Sequence, residues 1–118
     1  MDIDYSKKVI IVEGLNDKKQ IERMITEDVE IICTNGTLGI KKLDELIENF
    51  ELDDRDVFVM VDEDKNGEEL RALLKSELPH AEHIFIQRDF KEVEKTPHYI
   101  LANLLWAKHI EIDPIYLS

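Results

Sequence analysis

Val57-Phe58-Val59-Met60-Val61-Asp62-Glu63-Asp64-Lys65-Asn66-Gly67 decides how this chain is read. Its apolar run, Val57 to Val61, is too short for a buried helix and lacks the alternation of a strand with one wet face. Such a run suits a strand covered on both sides, as in a parallel sheet. It stops abruptly at acids. Asn66 and Gly67 then open an amphipathic stretch in which Leu70, Leu73, Leu74 and Leu78 share a face. The unit is strand, acidic turn, helix.

The same unit recurs on both sides. Val9-Ile10-Ile11-Val12, Val29-Glu30-Ile31-Ile32-Cys33 and His83-Ile84-Phe85-Ile86 are further strand-like runs. Ile21, Met24 and Ile25 mark one helix, and Ile40, Leu43, Leu46, Ile47 and Phe50 another. A last helix is expected from Pro97 to about Lys108, with Thr96 as N-cap and Ile100, Leu101, Leu104 and Leu105 among its apolar residues. Asp17 with Gln20, and Asn66 with Glu69, have the spacing of capping boxes. This alternation predicts an open, Rossmann-like α/β fold: a mostly parallel sheet of about four strands with helices on both faces. Glu51 to Asp56 reads as an acidic loop, the histidines as surface or helix-end residues, and Trp106 as packing or a partner face. The tail with Ile110, Ile112, Pro114, Ile115 and Tyr116 is either an added edge segment or a partner contact.

The 118 residues suit one domain, 1–118, with a motif-bearing core of about 8–86 and a C-terminal helix and tail of about 96–118. Hydrophobic residues at 43% supply a core, and charged residues at 36% supply a well-solvated surface. No apolar run approaches the ~18 residues of a membrane span, and Met1 to Lys8 is too charged for a signal peptide. Cys33 is the single cysteine, which excludes an internal disulfide and a cysteine-based zinc site. A cytoplasmic location is the expectation. The net charge of −12 repels phosphate backbones, so phosphate chemistry here needs bound cations, a local basic strip or a basic partner.

In such a sheet, sites form outside the carboxyl ends of the strands. Glu13 directly follows the first strand, Asp62 follows the third, and Asp64 lies two residues on. Asp17, near the start of the first helix, is a candidate fourth acid. If the first and third strands are neighbours, these carboxylates converge. Two of them about 4 Å apart repel by roughly 4 kcal/mol at an effective dielectric of 20, against a domain stability of about 5–15 kcal/mol. Such a cluster takes up protons or holds a cation, and hard oxygen ligands favour Mg²⁺ or Mn²⁺. The competing account, for Asp64 and Asp17 above all, is that strand-to-helix acids merely cap helices.

Val12-Glu13-Gly14-Leu15-Asn16-Asp17 and Val61-Asp62-Glu63-Asp64-Lys65-Asn66-Gly67 resemble the two motifs of the TOPRIM domain, which is shared by bacterial primases, type IA and type II topoisomerases, OLD-family nucleases and recombination-repair proteins. The resemblance spans roughly Lys8 to Ile86. Through Thr34-Asn35-Gly36, Gly67-Glu68, Pro79-His80 and His83-Ile84-Phe85 it is nearest to the small single-domain members and to the N-terminal domain of the Gram-positive ribonuclease that matures small ribosomal RNA. It implies Glu13 as catalytic acid or base and metal ligand, Asp62 and Asp64 as Mg²⁺ ligands, and Gly14 and Gly67 as structural positions. The implied chemistry is phosphoryl transfer on nucleic acid, nuclease-like cleavage of RNA or DNA. The accessory domains of those enzymes have no counterpart in these residues, so a partner protein is expected to supply basic surface.

Arg88 and Lys91, after the fourth strand, and the backbone of Asn35 and Gly36, after the second, are candidate contacts for a substrate phosphate. A solvated loop and a plain turn are the alternatives. Two other functions compete. One is a non-catalytic metal-binding regulatory or interaction module. The other is a phosphoacceptor receiver domain using Asp62, although Gly14 stands where receivers carry a second acid. An EF-hand is excluded, because its twelfth position is Leu73 rather than a bidentate Glu.

Overall fold

The computed structural model describes residues 3–36 and 38–117. Its four strands, β1 (Val9–Val12), β2 (Glu30–Cys33), β3 (Val57–Met60) and β4 (Glu82–Ile84), form one parallel sheet in the order β2-β1-β3-β4. Between and after them run α1 (Leu15–Met24), α2 (Ile40–Asn49), α3 (Lys65–Glu77) and α4 (His98–Trp106).

β1 and β3 are buried at every position because the pleat sends alternate side chains into two separate cores. Ile10, Val12, Phe58 and Met60 pack with Ile21 and Met24 of α1 and Leu101 and Leu105 of α4. Val9, Ile11, Val57 and Val59 pack with Leu43 and Ile47 of α2 and Leu70 and Leu74 of α3. Each such side chain contributes about 2 kcal/mol on burial, which explains why unbroken apolar runs specify these strands. The chain leaves β1 toward β2 and returns on the other side as β3. That reversal places the switch point of the sheet, and hence a crevice, between the carboxyl ends of β1 and β3.

Several expectations are corrected. The fourth strand is Glu82–Ile84 rather than His83 to Ile86, since pairing with β3 ends at Met60↔Ile84. The N-cap of α4 is Pro97. The Thr96 hydroxyl instead donates to the Glu92 carbonyl at 2.9 Å. The tail is an added segment: Ile110 and Ile112 are buried, and Ile112 bridges antiparallel to Ile25. Trp106 is 53% exposed, because the inward stripe of α4 is Leu101, Ala102 and Leu105 and the next residue turns outward. Arg55, within the stretch read as an acidic loop, is buried. Among the described residues, no helix is long and apolar enough to cross a membrane.

Candidate metal centre

β1 ends at Val12 and delivers Glu13 to the crevice; β3 ends at Met60, just before Val61 and Asp62. Glu13 Oε1 accepts a hydrogen bond from the Asp62 amide at 2.9 Å, joining stretches 49 residues apart. Asp62 Oδ1 in turn accepts from the Val93 amide at 2.8 Å. Asp64 is the N-cap of α3, its Oδ1 accepting from the Gly67 amide at 2.8 Å. Asp17 Oδ2 accepts from the Gly14 amide at 3.1 Å. The capping boxes expected at Asp17–Gln20 and Asn66–Glu69 are thereby replaced: α1 and α3 begin earlier, at Leu15 and Lys65, and the motif acids themselves hold the helix starts. Capping and a functional role do not exclude each other. Each of the four carboxylates commits one oxygen to a backbone amide, and its second oxygen accepts no hydrogen bond among the described residues.

Gly67 is needed for this geometry. A Cβ there would lie 1.8 Å from the Asp62 carbonyl oxygen, so only glycine lets α3 start against the Asp62 backbone. At Gly14 a Cβ would make an ordinary contact, 3.5 Å from Asp17 Oδ2.

The carboxylates disturb one another. Burial pushes the Glu13 carboxyl above its usual range; the Asp62 amide opposes this, and the charges of Asp62, Asp64 and Asp17 add to it. Burial raises Asp62 as well, helped by Asp64, Glu92 and Glu94. Asp17, 8% exposed, is pushed up to about 6 by burial, with Asp62, Glu94 and Glu92 adding repulsion. None of Glu13, Asp17, Asp62 and Asp64 forms an ion pair among the described residues.

Two contributors escaped sequence reasoning. The first is the irregular segment 87–96, which folds onto the rim: the Glu63 amide donates to the Lys91 carbonyl at 2.6 Å, and the Val93 amide holds Asp62. Arg88 and Lys91 place this segment on the site side in the sequence, but the signal that it packs down is Val93, a fully buried apolar residue between Glu92 and Glu94. The second is Arg71, 5% exposed, which donates to the carbonyls of Val61 (3.2 Å) and Ile84 (2.7 Å) and to Glu63 Oε1 (3.1 Å). It thus ties the exit of β3, the acidic turn and β4 together. Its guanidinium also lies 4.2 Å from the Phe85 ring centre and 3.1 Å from His83 Nδ1. Burial, then the charges of Arg71 and Lys75, push His83 down to about 4, so its imidazole is neutral and accepts from Arg71. His83 is therefore not the surface residue expected.

The candidate phosphate contacts divide. Arg88 and Lys91 are exposed, and Lys91 sits in the left-handed region at φ 59°. Asn35 and Gly36 form a turn with φ 58° and 108°, and the Asn35 amide is committed to the Glu13 carbonyl at 2.7 Å. Thr37 of that turn lies outside the described residues.

Among the described residues, no group of three or more His, Cys, Asp or Glu is arranged to close around a metal ion. The donor chemistry nonetheless fits a hard divalent cation. All four groups are carboxylates, they repel one another, and each keeps an oxygen free of hydrogen bonds. Mg²⁺ characteristically takes only one or two protein carboxylates and keeps several waters, so a closed cage is not required.

A model of the Toprim domain matches residues 8–93. The chain is 42% identical over 118 residues to the uncharacterized protein YusF of Bacillus subtilis (strain 168), covering all of this chain and 80% of that one. It is 33% identical over 86 residues to Ribonuclease M5 of Bacillus anthracis, covering 70% of this chain and 43% of the ribonuclease, less than half of that enzyme. The solved structure of a small TOPRIM domain protein from Bacillus stearothermophilus superposes with a TM-score of 0.90 at 36% identity, covering 98% of this chain and 96% of that one. In sequence and in fold alike, this chain belongs to the Toprim domain family.

Proposed function

We propose that this domain performs Mg²⁺- or Mn²⁺-dependent phosphoryl transfer on a nucleic-acid strand, in the direction of cleavage, in the cytoplasm and with a partner protein that supplies basic surface. The observation that carries the reading is the Glu13–Asp62 hydrogen bond, which brings the two acidic motifs to one crevice with their charges unneutralised. The relatives named Ribonuclease M5 match 70% of this chain, and the Toprim model spans residues 8–93, which carry both motifs.

Asp62, Asp64 and Glu13 would hold the cation, with Asp17 beside them. When bound, it neutralises charge developing on the phosphoryl oxygens and stabilises the leaving oxygen. Glu13, oriented by the Asp62 amide on Oε1, keeps Oε2 for proton transfer. As a water oxygen forms its bond to phosphorus, Oε2 takes the water's proton; as the ester P–O bond breaks, a proton is returned to the departing oxygen. Arg71 and the Val93 amide hold the acidic turn in place during this exchange.

Incubation with a panel of RNA and DNA strands in Mg²⁺, with the partner fraction added, tests the reading. The expected result is metal-dependent cleavage that falls about 100-fold or more in Asp62→Asn, a loss of roughly 2.7 kcal/mol in transition-state stabilisation. The net charge of −12 favours a second reading, a metal-binding interaction module without catalysis. Mg²⁺ binding with no cleavage of any strand would select it. Membership in the Toprim family leaves the receiver reading without support.

A further inference from the structure

Six of the fifteen Lys and Arg side chains are paired with acids among the described residues. Lys7, Lys8, Arg55, Arg71, Lys95 and Lys108 each sit in an ion pair. Lys19 and Arg23 of α1 have neither an ion pair nor a side-chain hydrogen bond among the described residues. With Asn16 and Gln20 they follow the i, i+3, i+4, i+7 spacing, which makes them one stripe of the helix. Together with Glu94 and His98, the first residue of α4, this stripe lines a cleft of about 290 Å³. At about 30 Å³ per water, that is room for on the order of ten waters, enough for a hydrated phosphodiester group.

The cleft adjoins the acidic rim. Asn16 immediately precedes Asp17, and its side-chain amide donates to Glu94 Oε1 at 3.3 Å. From Asn16 to Arg23 the stripe runs about 10 Å along α1, at about 1.5 Å per residue. Its position answers the difficulty posed by the acids, which repel a strand unless cations lie alongside. Arg88 and Lys91 lie in an irregular loop, whereas Lys19 and Arg23, likewise exposed, stand on one helix wall with two amides.

We propose that the cleft lined by Asn16, Lys19, Gln20, Arg23 and His98, with Glu94 at its edge held by the Asn16 amide, binds a backbone phosphate of the nucleic-acid strand, next to the phosphate presented to Glu13, Asp62 and Asp64. Lys19 and Arg23 meet its anionic oxygens, and the amides of Asn16 and Gln20 donate to the remaining oxygens. This inference rests on the phosphoryl-transfer reading.

Fluorescence anisotropy of labelled single-stranded RNA and DNA, with the full chain in Mg²⁺ over a salt series, tests it. The variants are Lys19→Gln/Arg23→Gln and, as a control of equal charge change on α2, Lys41→Gln/Lys42→Gln. Both replace exposed helical side chains with a good helix former, so the fold is retained. The cleft pair is expected to bind about tenfold more weakly or worse and to flatten the log–log salt slope by about 1.4, two contacts at about 0.7 each. The control pair is expected to stay near wild type, and calorimetric Mg²⁺ affinity to be equal in all three proteins. Wild-type affinity and slope in the cleft pair, or equal losses in both pairs, would overturn the cleft and leave the phosphoryl-transfer reading standing. A wild-type protein that binds Mg²⁺ but neither RNA nor DNA at low salt would overturn that reading and the cleft with it.

Discussion

The two ends of the sheet carry charge in opposite ways. At the amino end, Arg55 is buried, pairs with Glu30 at 2.8 Å and donates to the carbonyls of Phe50 and Lys7. Lys8 pairs there with Glu27 at 3.1 Å and donates to the His109 carbonyl at 2.8 Å. At the carboxyl end, burial holds Glu13, Asp17 and Asp62 above their usual range, and neighbouring carboxylates add to it. One end satisfies its charges within the chain and serves as scaffold. The other leaves a deficit of positive charge that only something from outside can fill. Like residue types thus do different work, and the difference lies in whether a partner is built in.

The largest effects should come from breaking the paired charges. Arg55→Met is expected to cost about 3 kcal/mol in denaturant unfolding, through the stranded Glu30 and the lost carbonyl bonds, with Mg²⁺ affinity unchanged. Arg71→Met should cost a similar amount and also lower Mg²⁺ affinity about tenfold, because Arg71 fixes the turn that carries the proposed ligands. Equal metal affinity in both variants would erase the distinction between the two ends.

A thermal-shift series sharpens it. Mg²⁺ at about 100 times its dissociation constant should stabilise the wild type and Arg55→Met by about 2.7 kcal/mol, and Asp62→Asn hardly at all.

The pH dependence of Asp17 gives a smaller signal. Burial pushes its folded pKa up to about 6, above the roughly 3.9 of an ordinary aspartate, so the native state holds the proton more tightly than the unfolded chain does. Stability therefore falls as pH rises from about 4 to 6, and the cost is complete at neutral pH. Asp17→Asn, which can still accept from the Gly14 amide, is expected to gain on the order of 2 kcal/mol at pH 7 in metal-free buffer and nothing at pH 4. A gain independent of pH would mean that the buried Asp17 charge is not its cause. Lys7→Ala, breaking a pair whose Asp28 is 87% exposed, should change stability by only about 0.5 kcal/mol or less.

The strands, their parallel pairing and the meeting of Glu13 with Asp62 are legible in the sequence, because burial on both faces demands unbroken apolar runs and the acids stand directly at their ends. The roles of Asp64 and Asp17 were half legible. Their place near a helix start shows, but which residue begins the helix depends on backbone bonds to Gly67 and Gly14. Arg55 and Arg71 were not legible, since a guanidinium reads as solvated until the carbonyls around it are known. Arg71 does, however, stand three residues before Leu74, on the edge of the apolar stripe of α3. The closure of segment 87–96 over the rim rests on main-chain contacts of Lys91 and Val93, which leave no side-chain periodicity to detect.

Calorimetric titration of Mg²⁺ into the wild type, Glu13→Gln, Asp62→Asn and Asp64→Asn tests the central claim most directly. Weak binding by the wild type, falling sharply when either aspartate is neutralised and to a lesser degree in Glu13→Gln, is the result expected of a shared cation. The same affinity in all four proteins would mean that the acids at this rim hold no common ion.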